Sequence, residues 1–442
     1  MTERILLLGG GGREHAIARA IVESTIDHEL YAGASNRNPG IVAIADEFTE
    51  LDETDPDVVL RFADRVDASI AVIGPESPLA SGVSDALTDA GVYTFAPSQA
   101  DARIETDKAW QRAFMDRENI PGCPAFEIFD DQSAAAEYVQ RIDHDVAVKP
   151  QGLTGGKGVR VTGDQLTRDE AATYIKESPY SDWVIEERLI GEEFTVQAFV
   201  ANGTIRTTPA IQDHKRAFEG DEGPNTGGMG SYSDNSPLLP FMTESDYEEA
   251  IEIIEATVDA LDSYRGVLYG QFMLTAEGPK VIEFNARFGD PEAMNTLPTL
   301  ETDFGEILVA ARDGDALPPV EVDGRATVCK YAVPEGYPTD PKDGTKISVD
   351  EATIDSVNER YQDSPGTEAM LFYASVDDRS DGIYTTTSRS FAVVGLAEEL
   401  HLAEEIAESA LSAAGDGVRI RHDIGTDSLI EQRIEHMRRL RG

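Results

Sequence analysis

The sequence is poor in cysteine and has no long apolar run. Its two cysteines, Cys123 and Cys329, lie far apart and lack the spacing of metal ligands, so we expect two buried thiols in a reducing cytoplasm. No apolar run approaches the length that spans a bilayer. Near the N-terminus the apolar stretch covers only Ile5 to Leu8, and glycines follow at once, unlike a secretory signal. We therefore predict a cytoplasmic protein with no membrane partner.

Lysine is scarce as well. Only nine of the 37 basic residues are Lys, whereas 83 residues are Asp or Glu, and the net charge is −46. The acids are spread along the chain rather than gathered in a tail, and a dispersed acidic surface poor in Lys suits concentrated salt, so we expect a protein from a halophile. The absence of a basic stripe argues against a nucleic-acid partner. At about 1 M salt the Debye length is roughly 3 Å, so the overall charge hardly repels an anionic substrate.

Three regions of the 442-residue chain differ in pattern. Residues 1–103 alternate short buried strands with helices, which predicts a parallel α/β domain. Residues 104–318 mix helices with longer strand pairs, and the proline-rich turn at 317–319 indicates a linker. Residues 319–442 open on an apolar strand and end in two helices, which predicts a small α+β domain. The fold class is therefore multidomain α/β and α+β.

Two glycine-rich stretches have the composition of phosphate-binding loops. "VAVKPQGLTGGKGVRV" does not fit a P-loop, because Gly152 to Gly156 is one residue too short and Gly158 stands where Ser or Thr is needed. It also continues into an alternating, strand-like pattern rather than a helix. "LLLGGGGREHA" lies between a predicted strand and a helix, where backbone amides can bind phosphate; a tight turn with no ligand is the alternative.

Oxygen-bearing side chains mark two further candidate sites. In "VIGPESPLASG", Glu76 follows the end of a strand and can accept hydrogen bonds from a polar ligand, although on this motif alone a surface turn is the preferred interpretation. In "VIEFNARFGDPEAMN", Glu283 and Asn285 share one strand face and suit a magnesium ion that also binds phosphates. Counting back across the turn at 277–278 places Gln271 opposite Glu283 as a third oxygen ligand. The alternative is a half-exposed hairpin with its polar side chains in water.

The stretch "IQDHKRAFEGDEGPNTGGMGSYS", residues 211–233, is polar and rich in glycine. Its composition predicts a long loop without secondary structure, and loops of that length tend to be functional.

In their order and spacing these stretches resemble the ATP-grasp superfamily and, within it, the glycinamide ribonucleotide synthetase family. The resemblance runs through "GGREHA", "GPESPLASG", "KPQGLTGGKGV", "IEERLIGEEF", "QDHKR", "PNTGGMGSYS" and "VIEFNARFGDPE". It covers most of residues 5 to 335 and is weaker beyond. It implies a pre-ATP-grasp domain at 1–103, a two-part ATP-grasp domain at 104–318 with a lid subdomain at about 122–192, and a C-terminal domain at 319–442. A glycine-rich hairpin would close over the triphosphate.

The resemblance implies nucleotide-binding roles for four groups of residues. The groups are two lysines that touch the α- and β-phosphates, the lid, the adenine hinge and the carboxylate that holds the ribose. In that order they are Lys108 and Lys149; Gly152, Gly155, Gly156, Lys157 and Gly158; Glu186, Glu187 and Leu189; and Glu193.

Catalytic and substrate roles follow from the same resemblance. Glu283 and Asn285 match magnesium or manganese ligands, Arg287 and the lid residue Lys157 face the transferring phosphoryl group, and Asp290 contacts the amino substrate. The glycine turn would take the 5′-phosphate of phosphoribosylamine. The implied substrate positions are Gly10, Gly11, Gly12, Arg13, Glu76 and Asp213.

The implied activity is ATP-dependent ligation of glycine to phosphoribosylamine through glycyl phosphate, by a monomer. Phosphoryl transfer needs mainly positioning and charge neutralisation, which explains Lys, Arg and a metal ion without a Ser or Cys nucleophile. Two alternatives remain at this point. One is an ATP-grasp ligase or carboxylase that makes another acyl phosphate, and the other is a nucleotide-binding regulator without catalysis.

Overall fold

The N-terminal region forms a five-stranded parallel sheet with helices packed on it. In the computed structural model, which describes residues 2–152 and 158–442, the strand order is β3-β2-β1-β4-β5. This confirms the predicted parallel α/β domain. The elements are β1 Glu3–Leu8, α1 Gly12–Val22, β2 His28–Ala34, α2 Pro39–Ile44, β3 Glu47–Glu50, α3 Pro56–Val66, β4 Ile70–Ile73, α4 Glu76–Ala80, α5 Val83–Asp89 and β5 Tyr93–Phe95.

Local sequence explains where these elements begin and end. β1 holds the apolar run Ile5 to Leu8, which is completely buried because helices cover both faces of the sheet. α3 begins after Asp55, whose side chain accepts hydrogen bonds from the amides of Asp57 and Val58, and it has proline in its first turn. The strand ends β1 and β4 lie side by side, so the glycine turn after β1 and Glu76 after β4 share one edge of the sheet.

A small antiparallel sheet with two helices follows. Its strand order is β6-β9-β7-β8, and its separate apolar core includes the fully buried Trp183. The elements of this part are α6 Arg103–Thr106, α7 Lys108–Glu118, β6 Phe126–Phe129, α8 Gln132–Arg141, β7 Val146–Pro150, β8 Arg160–Val161, α9 Arg168–Glu177 and β9 Trp183–Glu187.

The next region forms a four-stranded antiparallel sheet, β11-β10-β16-β17. Its register places Gln271 opposite Glu283, which confirms the count made from the sequence. The elements are β10 Glu192–Ala201, β11 Thr204–Thr207, β12 Gln212–Asp213, β13 Arg216–Phe218, β14 Glu222–Asn225, β15 Gly230–Ser233, α10 Glu244–Ala260, β16 Gly266–Thr275, β17 Gly278–Asn285, α11 Ala293–Thr296 and α12 Phe304–Asp313.

The predicted loop at 211–233 was wrong, because it contains the short strands β12 to β15. β13 pairs with β14 as a ribbon, whereas β12 and β15 belong to a larger sheet. Polar and glycine-rich composition concealed these strands, because strand propensity depends on the partners against which a strand packs.

The C-terminal region completes that larger sheet, in the order β12-β15-β18-β23-β20 with β24 beside β18. A single sheet therefore joins the middle region of the chain to its C-terminal region. The elements are β18 Ala326–Pro334, β19 Lys346–Ile347, α13 Glu351–Tyr361, β20 Glu368–Tyr373, β21 Val376–Arg379, β22 Gly382–Thr385, β23 Phe391–Ala397, α14 Leu400–Ala410, β24 Val418–Ile420 and α15 Asp427–Arg441.

Two further expectations concern the cysteines and the membrane. Both cysteines are free thiols; Cys329 is buried as predicted, but Cys123 is only partly buried, because it lies in the short connection before β6. Among the residues that the structure describes, no helix is both long enough and apolar enough to cross a bilayer.

Candidate active site

A cavity of about 420 Å³ lies where the three regions of the chain meet. The glycine turn and Glu76 come from the N-terminal sheet, Glu283 to Asp290 come from β17 and the turn after it, and Arg389 comes from the C-terminal region. Of the positions singled out in the sequence, those that line the cavity are Gly10, Gly11, Arg13, Glu76, Lys108, Asp213, Glu283, Asn285, Arg287 and Asp290.

Side chains in the first turn of α1 form hydrogen bonds that fix the glycine turn. Glu14 accepts a hydrogen bond from the amide of Gly11 at 2.7 Å and another from Arg13 Nε at 2.5 Å. Arg13 also donates to the carbonyl oxygen of Phe288 at 3.2 Å, which ties the turn to the segment after β17. Gly12 begins α1 and packs against Tyr331 rather than lining the cavity.

The polar face of β17 meets a lysine that we did not single out from the sequence. Lys215 Nζ donates to Gln271 Oε1 at 2.5 Å and lies 3.7 Å from Glu283 Oε1. The amide group of Gln271 donates to Glu193 at 2.7 Å. Gln271 and Glu193 therefore stand behind Lys215 and fix its position, and both oxygen and nitrogen of the Gln271 side chain already have partners.

The charge around Glu283 is strongly positive. Burial alone would raise the pKa of Glu283. The positive charges of Lys215, Lys149, Lys108 and Arg287 outweigh that effect and lower the pKa to about 2. The carboxylate is therefore ionised throughout the physiological range. Such a cluster of cations around one fixed anion is suited to a ligand with several negative charges.

The two predicted phosphate lysines have different surroundings. Lys108 Nζ donates to the carbonyl oxygen of Gly152 at 2.5 Å and borders the cavity. Lys149 Nζ is 2.7 Å from Glu186 Oε2 and donates to the carbonyl oxygen of Ile282 at 3.0 Å. Burial lowers the pKa of both lysines, although neighbouring carboxylates act in the opposite direction.

The predicted adenine hinge lies at the end of β9. The carboxylate of Glu186 is buried and is held by Arg112 Nε at 2.8 Å as well as by Lys149, so this side chain has a structural ion pair. Glu187 exchanges hydrogen bonds with the backbone of Ala125, and Leu189 follows in the connection to β10. A nucleotide would therefore meet the backbone of this segment rather than the Glu186 carboxylate.

The predicted lid falls mostly outside the described residues. Gly155, Gly156 and Lys157 lie in the segment 153–157, which the structure does not describe. Of its flanks, Gly152 has φ of +91°, which favours glycine, and Gly158 accepts a hydrogen bond from the Tyr174 hydroxyl at 2.8 Å.

Arg287 lies between two carboxylates at the centre of the cavity wall. Its Nη2 atom is 2.7 Å from Glu105, and its Nε atom is 3.7 Å from Glu76. Burial would lower the pKa of Arg287, but Glu105 and Glu76 outweigh it and raise that pKa. Burial raises the pKa of Glu105 to about 7 in spite of Arg287, and sequence reasoning had missed this residue.

Three more carboxylates form another part of the cavity wall. Asp290 accepts hydrogen bonds from the Tyr331 hydroxyl at 2.6 Å and pairs with Arg389 at 3.0 Å. Glu292 accepts from the Tyr269 hydroxyl at 2.8 Å. Burial and the charge of Glu292 raise the pKa of Asp213, and burial likewise raises the pKa of Glu292. This wall is suited to a cationic group such as an ammonium ion.

Four residues of the site were missed from the sequence: Lys215, Arg389, Glu105 and Glu292. The motif "QDHKR" contains Lys215 and the motif "VIEFNARFGDPE" ends on Glu292, so both had a signal. Arg389 and Glu105 lie in stretches without any motif, and only the fold brings them to the cavity.

The arrangement fits a class of enzymes that phosphorylate a carboxylate. The family model for the ATP-grasp domain of phosphoribosylglycinamide synthetase matches residues 106–293, and the models for its N and C domains match residues 3–105 and 327–427. The fold and the site therefore define an ATP-grasp ligase.

Individual relatives are similar over the whole length. Phosphoribosylamine–glycine ligase of Methanosarcina acetivorans is 50% identical over 100% of this chain and 99% of its own, and that of Methanosarcina barkeri is 49% identical over 99% and 100%. The crystal structure of phosphoribosylamine–glycine ligase from Thermotoga maritima superposes with a TM-score of 0.78 at 25% identity, over 95% of this chain and 99% of that one. The chain belongs to the phosphoribosylamine–glycine ligase family, a family of ATP-dependent carbon–nitrogen ligases.

Proposed function

We propose that the protein ligates glycine to 5-phosphoribosylamine at the expense of ATP, giving glycinamide ribonucleotide, ADP and phosphate in de novo purine biosynthesis. The observation that carries the proposal is the shared cavity, into which the glycine turn, the cation cluster around Glu283 and the carboxylates near Asp290 open together. The three substrates carry both negatively and positively charged groups, so they need a site with a cationic part and an anionic part.

The reaction begins with the carboxylate of glycine. One of its oxygens attacks the γ-phosphorus of ATP, the bond to the β,γ-bridging oxygen breaks, and ADP leaves with that electron pair. The product is glycyl phosphate. The amine of phosphoribosylamine then attacks the carbonyl carbon, the bond from that carbon to the phosphate oxygen breaks, and the amine loses a proton as the amide forms. Phosphate is released.

The cations of the cavity neutralise charge during this transfer. Lys108, Lys149 and Lys215 converge on Glu283 from three different segments, and Arg287 is fixed between two carboxylates at the edge of the same cluster. Such fixed cations lower the barrier because they need no reorientation when negative charge builds up on the transferring group.

A divalent ion fits the polar face of β17. Glu283 and Asn285 offer oxygen atoms on one side of the strand, as a hard cation such as Mg²⁺ or Mn²⁺ requires, with phosphate oxygens as further ligands. Gln271 would join them only by releasing Lys215. In the ranges 2–152 and 158–442, no three or more His, Cys, Asp or Glu side chains are arranged to hold a metal ion. When bound, the ion would draw negative charge away from the triphosphate.

The nucleotide lies, in this proposal, between the two antiparallel sheets. Its adenine meets the backbone of 186–189 and its ribose meets Glu193. The lid of this proposal is the glycine-rich stretch that contains Gly155, Gly156 and Lys157, and its role would be to keep water away from glycyl phosphate.

The glycine turn at the N-terminus of α1 binds the 5′-phosphate of phosphoribosylamine, and the Gly11 amide would take part only by releasing Glu14. Glu76 lies at the neighbouring strand end, where it can accept hydrogen bonds from the ribose hydroxyls. Asp213 and Asp290 face the ammonium group of glycine across the cavity.

We also propose that the protein works as a monomer in the cytoplasm of a halophile. Support for the halophilic part is the net charge of −46 with only nine lysines.

The experiment is an ADP-release assay in which each substrate is omitted in turn. We expect ADP release only with glycine and phosphoribosylamine both present, and glycinamide ribonucleotide as the product. ADP release that is independent of glycine, or a product from another carboxylate in a substrate panel, would exclude the proposed function.

A further inference from the structure

We infer that Arg389, from the C-terminal region, is a positioning residue of the active site, which holds Asp290 and the Gly227–Gly228 backbone in the wall that binds the small amino-acid substrate. This inference rests on the proposed function. It gives the C-terminal region a part in the reaction that no sequence motif indicates.

The contacts of Arg389 join two separate segments. Nη1 donates to the carbonyl oxygens of Gly227 at 2.7 Å, Gly228 at 3.1 Å and Asp290 at 2.9 Å. Nη2 pairs with Asp290 Oδ2 at 3.0 Å. One guanidinium group therefore connects the turn before β15 to the turn after β17, in a fork geometry that only arginine offers.

Tyr331 completes the arrangement. The guanidinium of Arg389 lies 4.5 Å from the centre of the Tyr331 ring, and the hydroxyl of the same tyrosine donates to Asp290 Oδ1 at 2.6 Å. Each oxygen of Asp290 thus has one donor from the C-terminal region, which leaves each oxygen a lone pair for the ammonium group of a substrate.

The second segment leads to Asp213. Gly228 has φ of +110°, and a side chain there would overlap the carboxylate of Asp213 and the ring of Pro291. The backbone that Arg389 holds therefore lies next to Asp213, another carboxylate of this wall. Loss of Arg389 is expected to shift Asp213 and Asp290 together.

Arg389 differs from an arginine that only fastens the fold by its position beside the cavity. Its side chain is 11% exposed and borders the cavity, whereas Arg325 is 17% exposed and does not. Arg325 also comes from the C-terminal region, pairs with Glu368 at 3.0 Å, and donates across to the carbonyl oxygen of Pro298 at 3.0 Å. Arg325→Ala is therefore a matched control for the loss of a buried cross-region arginine.

The experiment measures steady-state constants for each substrate in Arg389→Ala, Arg389→Lys, Arg325→Ala, Asp290→Asn and the double variant of Arg389→Ala with Asp290→Asn. We expect Arg389→Ala to raise KM for glycine about tenfold or more, with KM for ATP within about twofold of the wild-type value. Arg389→Lys should recover part of this loss, because it keeps a charge beside Asp290 but not the fork. The double variant should lose less than the product of the two single effects.

Two results would overturn the inference. One is an Arg389→Ala enzyme with the kinetic constants of Arg325→Ala, and the other is an equal rise of KM for all three substrates. If Arg389→Ala does not fold, Arg389→Lys decides, and a wild-type KM for glycine in that variant contradicts a positioning role. Failure of the proposed function is seen separately, since the wild-type enzyme would then release no ADP in response to glycine and phosphoribosylamine.

Discussion

The outer surface and the surroundings of Glu283 in the cavity differ in the sign of the charge that governs them. The chain has a net charge of −46, yet three of its nine lysines lie around the single carboxylate of Glu283. On an acidic surface each carboxylate repels its neighbours, whereas in the cavity Glu283 has its pKa lowered to about 2 by surrounding cations. The comparison teaches that lysine, scarce elsewhere, is concentrated where anionic substrates react.

The largest effect is expected when the negative charge of Glu283 is removed. We expect Glu283→Gln to lower kcat by about 100-fold or more, because it removes the charge that would face the metal ion and orders the three lysines. Steady-state ADP release at saturating magnesium measures the effect, with thermal unfolding as a check of the fold. Glu277→Gln, in the exposed turn of the same hairpin, is the control and should be active. Activity of Glu283→Gln within a few-fold of wild type would remove Glu283 from the reaction.

Removal of the positive charge of Lys215 tests the role of the cations around Glu283. Lys215→Met should lower kcat/KM for ATP by about tenfold or more, since Gln271 and Glu283 lose their shared partner. It should also raise the pKa of Glu283, so the acid limb of the pH–rate profile moves to higher pH. Lys176→Met, at an exposed position on α9, provides the comparison. An unchanged profile together with unchanged kinetics would contradict the role of Lys215.

Salt should act on the two regions in opposite directions. Molar KCl screens repulsion between surface carboxylates, so we expect the melting temperature to rise by more than about 5 °C from dilute buffer. The same salt screens the lysines of the cavity and should raise KM for ATP modestly. Thermal unfolding and kinetics in a KCl series measure both. Equal thermal stability in dilute and in molar KCl would contradict the expected halophilic behaviour.

The smallest effect concerns a neutral buried side chain beside the glycine turn. His15 is buried, accepts a hydrogen bond from the amide of Tyr373 at 2.9 Å, and has its pKa lowered to about 3 by burial and by Arg19. Its folded-state pKa lies below the unfolded value of about 6.5, so the unfolded chain takes up the proton first. Stability due to His15 is therefore complete above about pH 6.5 and is lost as the pH falls towards 3.

Denaturant unfolding at pH 7 and pH 5 measures this loss. We expect His15→Gln to be less sensitive to acid than wild type, by at most about 1.4 kcal/mol per pH unit. His401→Gln, at an exposed position, should match wild type. The same pH dependence in all three proteins would show that His15 does not take part.

Sequence reasoning succeeded where local pattern decides the structure. The alternation in β17 and the position of the turn before it placed Gln271 opposite Glu283, and the structure has that pair. The apolar run at 5–8 and the glycines after it predicted the first strand and turn of a parallel sheet. In these places period and turn residues carry the information.

Sequence reasoning failed where segments that are far apart in the chain come together in the fold. The strands β12 and β15 were missed because they pair within a sheet completed by β18, about one hundred residues later. Arg389 reaches the cavity only because the C-terminal region packs against the turn at 290–291. Lys215 belonged to a quoted motif, yet it lies in the connection between β12 and β13, and nothing in one sequence distinguishes its side chain from those of its neighbours.

The most direct test of the whole account follows the oxygen atoms of glycine. With glycine labelled by ¹⁸O in both carboxylate positions, the transfer of one carboxylate oxygen to phosphorus predicts one ¹⁸O atom in each phosphate released and one in the amide product. Mass spectrometry of the phosphate and of glycinamide ribonucleotide from one reaction gives both numbers. Phosphate without ¹⁸O would contradict the formation of glycyl phosphate and, with it, the role assigned to the cations around Glu283.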